Sequence, residues 1–268
     1  AVDGRLDPEV AELRRQLQNR HHVAGLIGES GRMDEVRDLI GKVDFTEFFL
    51  FLLTGDRPTP VLVKLVDASM VAICEHGLVP SVQAARMTLH AAPDALQGAV
   101  AAGLLGAGSV MFGTSENAGR VLADIAAIVA TQKRPLDQVV FEKLTQIRQA
   151  KEPLPGFGHR THSNGDPRAT RLLEYADELG VSGTHCAALR EIARQVEKVF
   201  GRKLLPNIQS AIPAVLLDGG FPAEVLRGVP IVARAAGLIA HLAEENHRPI
   251  SNDLWYSAEA AIDYDGAL

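Results

Sequence analysis

Apolar residues recur at intervals of three and four positions along most of this chain, which is the spacing of one face of an α-helix. In segment 60–75 the positions on that face are Leu62, Leu65, Val66, Met70 and Ile73. Similar patterns predict helices within 1–19, 34–53, 81–87, 94–105, 117–130, 136–150, 168–180, 185–200, 210–217 and 222–241. No segment shows the strict alternation of a strand between hairpin turns, so we predict a mostly α fold that ends in a loosely patterned acidic tail.

One stretch breaks the helical pattern and carries candidate chemistry. It begins at Leu154 and reads LPGFGHRTHSNGDPR. The proline and two glycines of Pro155–Gly158 favour a shaped loop in which the backbone can approach another group closely. Asp166 followed by proline is a good helix start. His159 and Arg168 are therefore predicted to meet at a helix N-terminus, a place suited to binding an anion and transferring a proton.

Composition and charge exclude several classes of protein. Hydrophobic residues make up 47% of the 268 residues and charged residues 22%, which suits a large folded core and not a disordered chain. The net charge of −6 argues against a general nucleic-acid binder but leaves room for a local basic pocket. The most apolar run, 99–112, is shorter than the roughly 20 residues that span a bilayer. With no signal-peptide pattern visible, we expect a soluble cytoplasmic protein without a membrane or nucleic-acid partner.

Cysteines, histidines and glycines indicate neither a metal nor a bound nucleotide. Cys74 and Cys186 lie in apolar helical patterns and are predicted to be buried thiols. The pair His21–His22 has no third ligand at a useful spacing. The glycine-rich segment 106–113 follows a helical pattern instead of a strand, which argues against a dinucleotide fingerprint. We expect no metal and no permanently bound cofactor.

Two further residues are predicted to interact with another protein group or with a ligand. His76 follows a predicted helix, where a capping role and a ligand role both fit an imidazole. Arg234 lies within a strongly apolar helical run, so its charge must be paired with an acid or meet an anion.

The sequence PGFGHR from Pro155, together with DPRA from Asp166, resembles the citrate synthase superfamily. Weaker similarities occur in the same order at 38–55, 75–86 and 233–249, so the resemblance covers about 30–250. The short chain, and Met-Phe-Gly at 111–113 where a citrate synthase carries Leu-His-Gly, are more similar to the citryl-CoA lyase branch.

This resemblance implies an all-α, citrate-synthase-like fold with two helical domains. The large domain would comprise 1–113 and 208–268, and the small domain, 114–207, would carry the PGFGH loop. A homodimer is implied, with the active site between the domains and with room for an arginine from the partner subunit. The substrate would be an acyl-CoA or polycarboxylate, with coenzyme A as part of the substrate.

The resemblance also assigns roles to single residues. His159 matches the histidine that hydrogen-bonds the reacting carbonyl or hydroxyl oxygen, and His76 matches one that contacts the polycarboxylate. The arginines that grip carboxylates match Arg168, Arg234 and Arg248, whose guanidinium groups suit bidentate binding. The backbone that contacts the CoA adenine matches Pro155, Gly156, Phe157 and Gly158.

Two positions depart from the citrate synthase pattern. Phe112 in the substrate site replaces the histidine that would stabilise an acetyl-CoA enol. Gln209 stands where the catalytic aspartate is expected, and an amide cannot take up a proton at neutral pH. General acid–base catalysis is worth about 10²–10⁴-fold in rate, so its loss should slow ordinary citryl-CoA chemistry severely. Three functions are therefore compatible with these residues. They are a lyase that cleaves citryl-CoA or a related hydroxyacyl-CoA, an impaired accessory protein that binds CoA esters or polycarboxylates, and a condensing enzyme.

Overall fold

The computed structural model describes residues 39–158, 165–263 and 265–266. The predicted helix at 1–19, the pair His21–His22 and His159 lie outside these residues. The backbone divides into two compact units, Ala1–Val63 and Lys64–Leu268. The division into large and small domains stays a prediction.

In the first unit, helix α1 spans Phe45–Thr54. The described part of the predicted 34–53 helix is interrupted by a turn at 40–43. Helix α1 begins after this turn because the Asp44 carboxylate accepts a hydrogen bond of 2.8 Å from the Glu47 amide and so caps the helix. A left-handed Gly55 ends it.

Helices account for most of the described residues, which confirms the mostly α prediction. The helices after α1 are α2 Pro60–Cys74, α3 Pro80–Ala91, α4 Leu96–Met111, α5 Gly113–Gln132, α6 Leu136–Gln149, α7 Pro167–Glu178, α8 Thr184–Phe200, α9 Ile208–Asp218, α10 Gly228–His247 and α11 Ser251–Ala261. Within the described ranges there is no strand, and an isolated bridge joins Phe157 to Pro206.

Helix α11 occupies the region predicted to be an unpatterned tail, so that prediction is wrong. The Glu245 carboxylate accepts hydrogen bonds from the Ile250 amide at 3.0 Å and from the Ser251 amide at 2.9 Å. The Ser251 hydroxyl also donates to it, at 2.7 Å. An acid on α10 thus caps the start of α11. The local sequence pattern of α11 does not show this contact.

Close helix packing places the elements that carry candidate residues. Helices α3, α4 and α10 share a core that includes Val82 and Leu242. A Cβ atom on Gly103 would lie 2.7 Å from a Leu238 methyl group, and one on Gly237 would lie 2.2 Å from the Cys74 carbonyl oxygen. Helix α10 therefore packs directly against the end of α2. Helix α9 packs against α5, α7 and α8.

Two helical stretches, Leu96–Gln132 and Ala223–His247, are long and apolar enough to cross a bilayer by length and composition alone. The apolar run 99–112 is too short by itself, but it belongs to the first stretch, in which α4 and α5 follow each other almost without a break. A kink at Gly108, with φ of 52°, interrupts the first stretch. Its apolar surface is partly open, since Leu105 is 82% exposed.

Candidate functional site

The Pro155–Gly158 loop is held by hydrogen bonds to the segment that leads into α9. The Gly158 amide donates to the Leu205 carbonyl at 2.8 Å, and the Asn207 amide donates to the Gly156 carbonyl at 2.9 Å. The Asn207 side chain donates to the Gly158 carbonyl at 2.6 Å. The loop is therefore fixed on the N-terminus of α9, the helix that carries Gln209.

A glycine is required at position 156 for two independent reasons. Its φ of 75° lies in the left-handed region. A Cβ atom there would also lie 2.8 Å from the Ser210 amide nitrogen and 2.5 Å from the Ser210 Cβ. The Ser210 hydroxyl donates to the Gly156 carbonyl at 2.8 Å, which holds the two backbones together.

A cleft of about 890 Å³ opens beside this loop. Its walls are formed by residues of α4, α5 and α6, by the 150–158 segment and by Asn207. The four residues predicted to contact coenzyme A all line it, namely Pro155, Gly156, Phe157 and Gly158. Arg120 and Lys143 supply positive charge in the walls, where they pair with Glu116 and Asp124.

Gln209 lies in the first turn of α9, and its side-chain oxygen is engaged. The Asn207 carboxamide oxygen accepts the Gln209 amide at 2.9 Å and caps the helix. The buried Ser115 hydroxyl, in the first turn of α5, donates to Gln209 Oε1. This leaves the Nε2 end of the amide as the end that can donate elsewhere. Asn207 and Thr114, close neighbours of this pair, line the cleft.

Asp166 joins the N-termini of α7 and α9. Its carboxylate accepts Arg168 Nε at 3.0 Å and Arg168 Nη2 at 2.9 Å. It also accepts the Ile208 amide at 3.0 Å. Burial opposes the charge of this carboxyl, but the hydrogen bonds from Arg168 and Ile208 outweigh it and hold the pKa of Asp166 below its usual value. The Asp166 carboxylate therefore both orients Arg168 and binds the start of α9, the helix that carries Gln209.

Arg168 and Arg234 meet at the C-terminal end of α2. Arg168 Nη1 donates to the Ala72 carbonyl at 3.4 Å, and Arg234 Nη2 donates to the Ile73 carbonyl at 3.2 Å. A helix C-terminus favours such positive groups. His76 follows two residues after the helix end, as predicted.

Arg234 is a buried cation with an unused donor. It is 3% exposed, and its Nη1 atom has no hydrogen-bond partner among the described residues. Burial lowers the pKa of Arg234, and the nearby charge of Arg168 lowers it further, while Glu75 acts in the opposite direction. Two neighbouring guanidinium groups, one with a free buried donor, form an arrangement suited to a carboxylate.

The other predicted substrate residues lie apart from this pair or outside the described residues. Arg248 is at the end of α10, where it is 82% exposed and lies 3.8 Å from Glu244. No described contact links it to Arg168 or Arg234. Phe112 is buried at the junction of α4 and α5. The predicted gathering is therefore seen for two arginines, and the role of His159 stays a prediction.

Sequence reasoning missed the residues that support the site. Ser115 gave no local signal, because its partner Gln209 is 94 residues away. Arg86 could have been found, since it lies at helical spacing from Val82 and Leu89 on the buried face of α3. It is buried and contacts Glu244, Glu245 and His241.

Asp218 does not supply the acid that Gln209 lacks. It accepts hydrogen bonds from the amides of Gly183, His185 and Cys186 at 2.7–3.0 Å, and so caps α8. Burial opposes the charge of Asp218, but contacts with His185 and Cys186 hold its pKa below its usual value. Burial, with Asp218 beside it, raises the pKa of the Cys186 thiol to about 12, so this cysteine is a poor nucleophile. No group of three possible metal ligands occurs among the residues that the structure describes.

Comparisons with known proteins show the family and the fold of this chain. The family profile "Citrate synthase, C-terminal domain" matches residues 13–254. A solved citryl-CoA lyase from Hydrogenobacter thermophilus is 31% identical with a TM-score of 0.75, and the match covers 87% of this chain and 88% of that one.

Two further similar proteins are longer than this chain. Citrate synthase 2 of Bacillus subtilis is 27% identical over 247 residues, which are 90% of this chain and 63% of that protein. An ATP citrate lyase of Methanosaeta concilii, solved in complex with (3S)-citryl-CoA, has a TM-score of 0.66 at 17% identity and shares the fold over 87% of this chain and 39% of its own. The chain thus spans under two thirds of the curated citrate synthases it first matches.

Proposed function

Because this chain belongs to the citrate synthase family, we propose that it is a carbon–carbon lyase that cleaves citryl-CoA or a related carboxylated 3-hydroxyacyl-CoA. The products would be an acyl-CoA and an oxo acid. The observation that carries the proposal is the Arg168–Arg234 pair at the end of α2, with an Arg234 Nη1 donor that no described residue binds. The match to a citryl-CoA lyase over nearly the whole of both chains favours cleavage.

The carboxylated tail would bind at the arginine pair. Arg234 Nη1 would donate to one carboxylate oxygen, which would satisfy a buried donor that otherwise costs free energy. Arg168 remains oriented by Asp166 while its exposed edge faces the tail. His76 and Arg248, the latter from the same or the partner subunit, are the further candidates for tail binding.

The coenzyme A portion would occupy the cleft beside the loop. Backbone groups of Pro155–Gly158 would contact the adenine, while Arg120 and Lys143 are the cations available to its phosphates. Gln209 and Ser115 lie next to this wall, and Asp166 connects the same helix start to Arg168. The start of α9 would thus lie between the region that binds the thioester and the region that binds the tail.

The cleavage step needs one base and one stabilised enolate. The bond between the carbon next to the thioester and the carbon that bears the hydroxyl breaks, the hydroxyl proton passes to a base, and the electron pair forms the enolate of the acyl-CoA. His159 is the proposed base, and Gln209 Nε2 would donate to the enolate oxygen. The enolate carbon then takes a proton from water, because Gln209 has no acidic proton at neutral pH. The hydroxide left behind takes up the proton that His159 had accepted, which regenerates the base.

A second copy of this chain is the proposed partner. Helices α4 and α10 pack together and leave apolar side chains open to the surface, among them Leu105 and Ile239. Burying such a surface in a homodimer would remove apolar area from water. The exposed Arg248 would then be available to a neighbouring subunit.

Gln209 also favours a second candidate, an accessory protein that binds CoA esters or polycarboxylates without turnover. The lack of a proton-accepting group at this position would permit binding while removing part of the catalysis. Condensation of the citrate synthase type is a less favoured alternative, since Phe112 is buried and carries no donor.

Product analysis separates the lyase from the accessory protein. Purified protein is incubated with citryl-CoA, and the CoA species and oxo acid are identified by mass spectrometry. We expect acetyl-CoA and oxaloacetate in equal amounts, above the rate without protein. Citryl-CoA and CoA binding without product would support the accessory protein, and absence of binding would reject both.

The variant Gln209→Asp tests the missing base. We expect it to raise the rate at which the methyl protons of acetyl-CoA exchange with D₂O about 10²-fold over the rate with the unaltered protein. A variant that folds and binds acetyl-CoA but shows no added exchange would contradict the proposed place of residue 209 beside the thioester.

A further inference from the structure

A buried chain of contacts runs from α3 across α10 to the end of α2. Arg86, on α3, is 1% exposed. Its Nη1 donates to Glu245 at 2.6 Å, and its Nη2 contacts both Glu244 and, at 3.0 Å, His241 Nδ1. His241 Nε2 lies 2.8 Å from Glu75 Oε2. His241 is therefore the link between a buried arginine and the residue before His76.

The contacts decide where His241 carries its proton. A guanidinium group has donors and no acceptor, so Nδ1 must accept from Arg86 and cannot hold a hydrogen. The proton is then on Nε2, which donates to Glu75. Glu244, 4.0 Å from Nδ1 on the same helix, is itself engaged by Arg86. His241 is thus neutral and fixed in the Nε2–H tautomer.

Glu75 connects His241 to the turn at the end of α2 through hydrogen bonds. Its Oε1 accepts the Gly77 amide at 2.5 Å, which closes the turn that contains His76. Burial opposes the charge of Glu75, but hydrogen bonds from Gly77 and His241 outweigh it and hold the pKa of Glu75 below its usual value. The Glu75 charge also acts on Arg234, which binds the carbonyl two residues earlier.

We propose that His241 is a positioning residue for the polycarboxylate site. Held as a neutral Nε2–H imidazole by Arg86, it fixes Glu75 and through it the turn carrying His76 and the carbonyls that orient Arg168 and Arg234. The idea rests on the proposed function, since the site it orders is the one assigned there to the tail of the substrate. His241 itself does not touch the substrate.

The tautomer is measured without any ligand. Protein labelled with ¹⁵N in histidine gives long-range ¹H–¹⁵N correlations that distinguish a protonated from an unprotonated ring nitrogen. The His241→Gln spectrum assigns the signal by its disappearance. We expect the Nε2–H pattern at neutral pH, and an Nδ1–H or imidazolium pattern would overturn the proposal.

Variants then test the positioning role through citrate affinity, measured by calorimetry. His241→Ala should weaken citrate binding about tenfold and leave CoA binding unchanged. His241→Gln should restore most of it, because one amide offers both an acceptor to Arg86 and a donor to Glu75. His247→Ala, an exposed position on the same helix, is the matched control.

Glu75→Gln gives a sharper test. Both Glu75 oxygens receive a donor, so an amide in either orientation places its NH₂ against the Gly77 amide or against His241. We expect it to weaken citrate binding as much as His241→Ala does. Equal citrate affinity in folded His241→Ala and in the unaltered protein would overturn the positioning role, whereas no citrate or citryl-CoA binding by the unaltered protein would reject the proposed function instead.

Discussion

In the proposed active site, an amide at position 209 limits the chemistry that this side chain can supply. A carboxylate would exchange a proton with the substrate, whereas Gln209 can offer a hydrogen bond and no acid or base at neutral pH. Its orientation then matters, since one end of an amide donates and the other accepts. The buried Ser115 hydroxyl binds the oxygen and so sets which end is presented.

Ser115→Ala should therefore impair catalysis without impairing substrate binding. With Oε1 released, the amide can turn and present an acceptor to the enolate oxygen, which lowers kcat by about tenfold while KM for citryl-CoA changes little. Initial rates over a range of citryl-CoA concentrations give both constants. Ser69→Ala removes another buried hydroxyl, on α2, and is the control. A rise in KM at constant kcat would contradict this role of Ser115.

Among the structural elements, the Pro155–Gly158 loop and the start of α9 are held together by hydrogen bonds. Gly156→Ala adds a methyl group both to a left-handed backbone and against the Ser210 amide. We expect a loss of about 2–3 kcal/mol in the free energy of unfolding, from urea titration, together with weaker CoA binding.

Gly220→Ala separates the effect of the left-handed backbone from the effect of the close approach to Ser210. Its φ is 85°, but an added Cβ would meet no atom within 4 Å. It should cost about 1 kcal/mol and leave CoA affinity unchanged. Equal effects of the two variants on CoA affinity would show that the approach to Ser210 does not shape the cleft.

Asp218 makes the stability of the α8–α9 pair dependent on pH. Asp218→Asn places an amide NH₂ against a backbone donor and should cost about 2 kcal/mol near pH 7. The pKa of Asp218 is depressed in the folded protein, so its contribution is complete above the unfolded value of about 3.9 and is lost as pH falls through the folded pKa. Thermal unfolding should show the difference between the two proteins constant from pH 8 to 5 and shrinking below pH 4. A difference that grows on acidification would contradict this.

Elements with their own amphipathic pattern could be predicted from sequence, and elements set by distant contacts could not. Helix α2 ends within one residue of the prediction because its apolar face and the following His76-Gly77 are local signals. Helix α11 was missed because Glu245 on another helix starts it. Likewise, the buried charge of Arg234 was predicted to need a partner, but only the fold brings Arg168 beside the same helix end.

At the scale of the whole molecule, the exposed apolar side chains on α4 and α10 predict self-association. Leu105→Glu puts a charge on that surface and should convert a dimer into a monomer in light scattering coupled to size exclusion. Phe141→Glu, at a partly exposed apolar position on α6, is the control and should stay dimeric. An unaltered protein that is monomeric at micromolar concentration would contradict the proposed homodimer.

Arg168 and Arg234 are together proposed to hold a carboxylated tail, and a substitution at Arg234 tests this directly. Arg234→Lys keeps the charge and the stem but removes the second donor arm, while Arg194→Lys makes the same change at an exposed position on α8. Citrate affinity is measured by calorimetry for both variants and for the unaltered protein. We expect Arg234→Lys to weaken citrate binding by at least about tenfold and Arg194→Lys to leave it unchanged. Equal citrate affinity in all three proteins would contradict it.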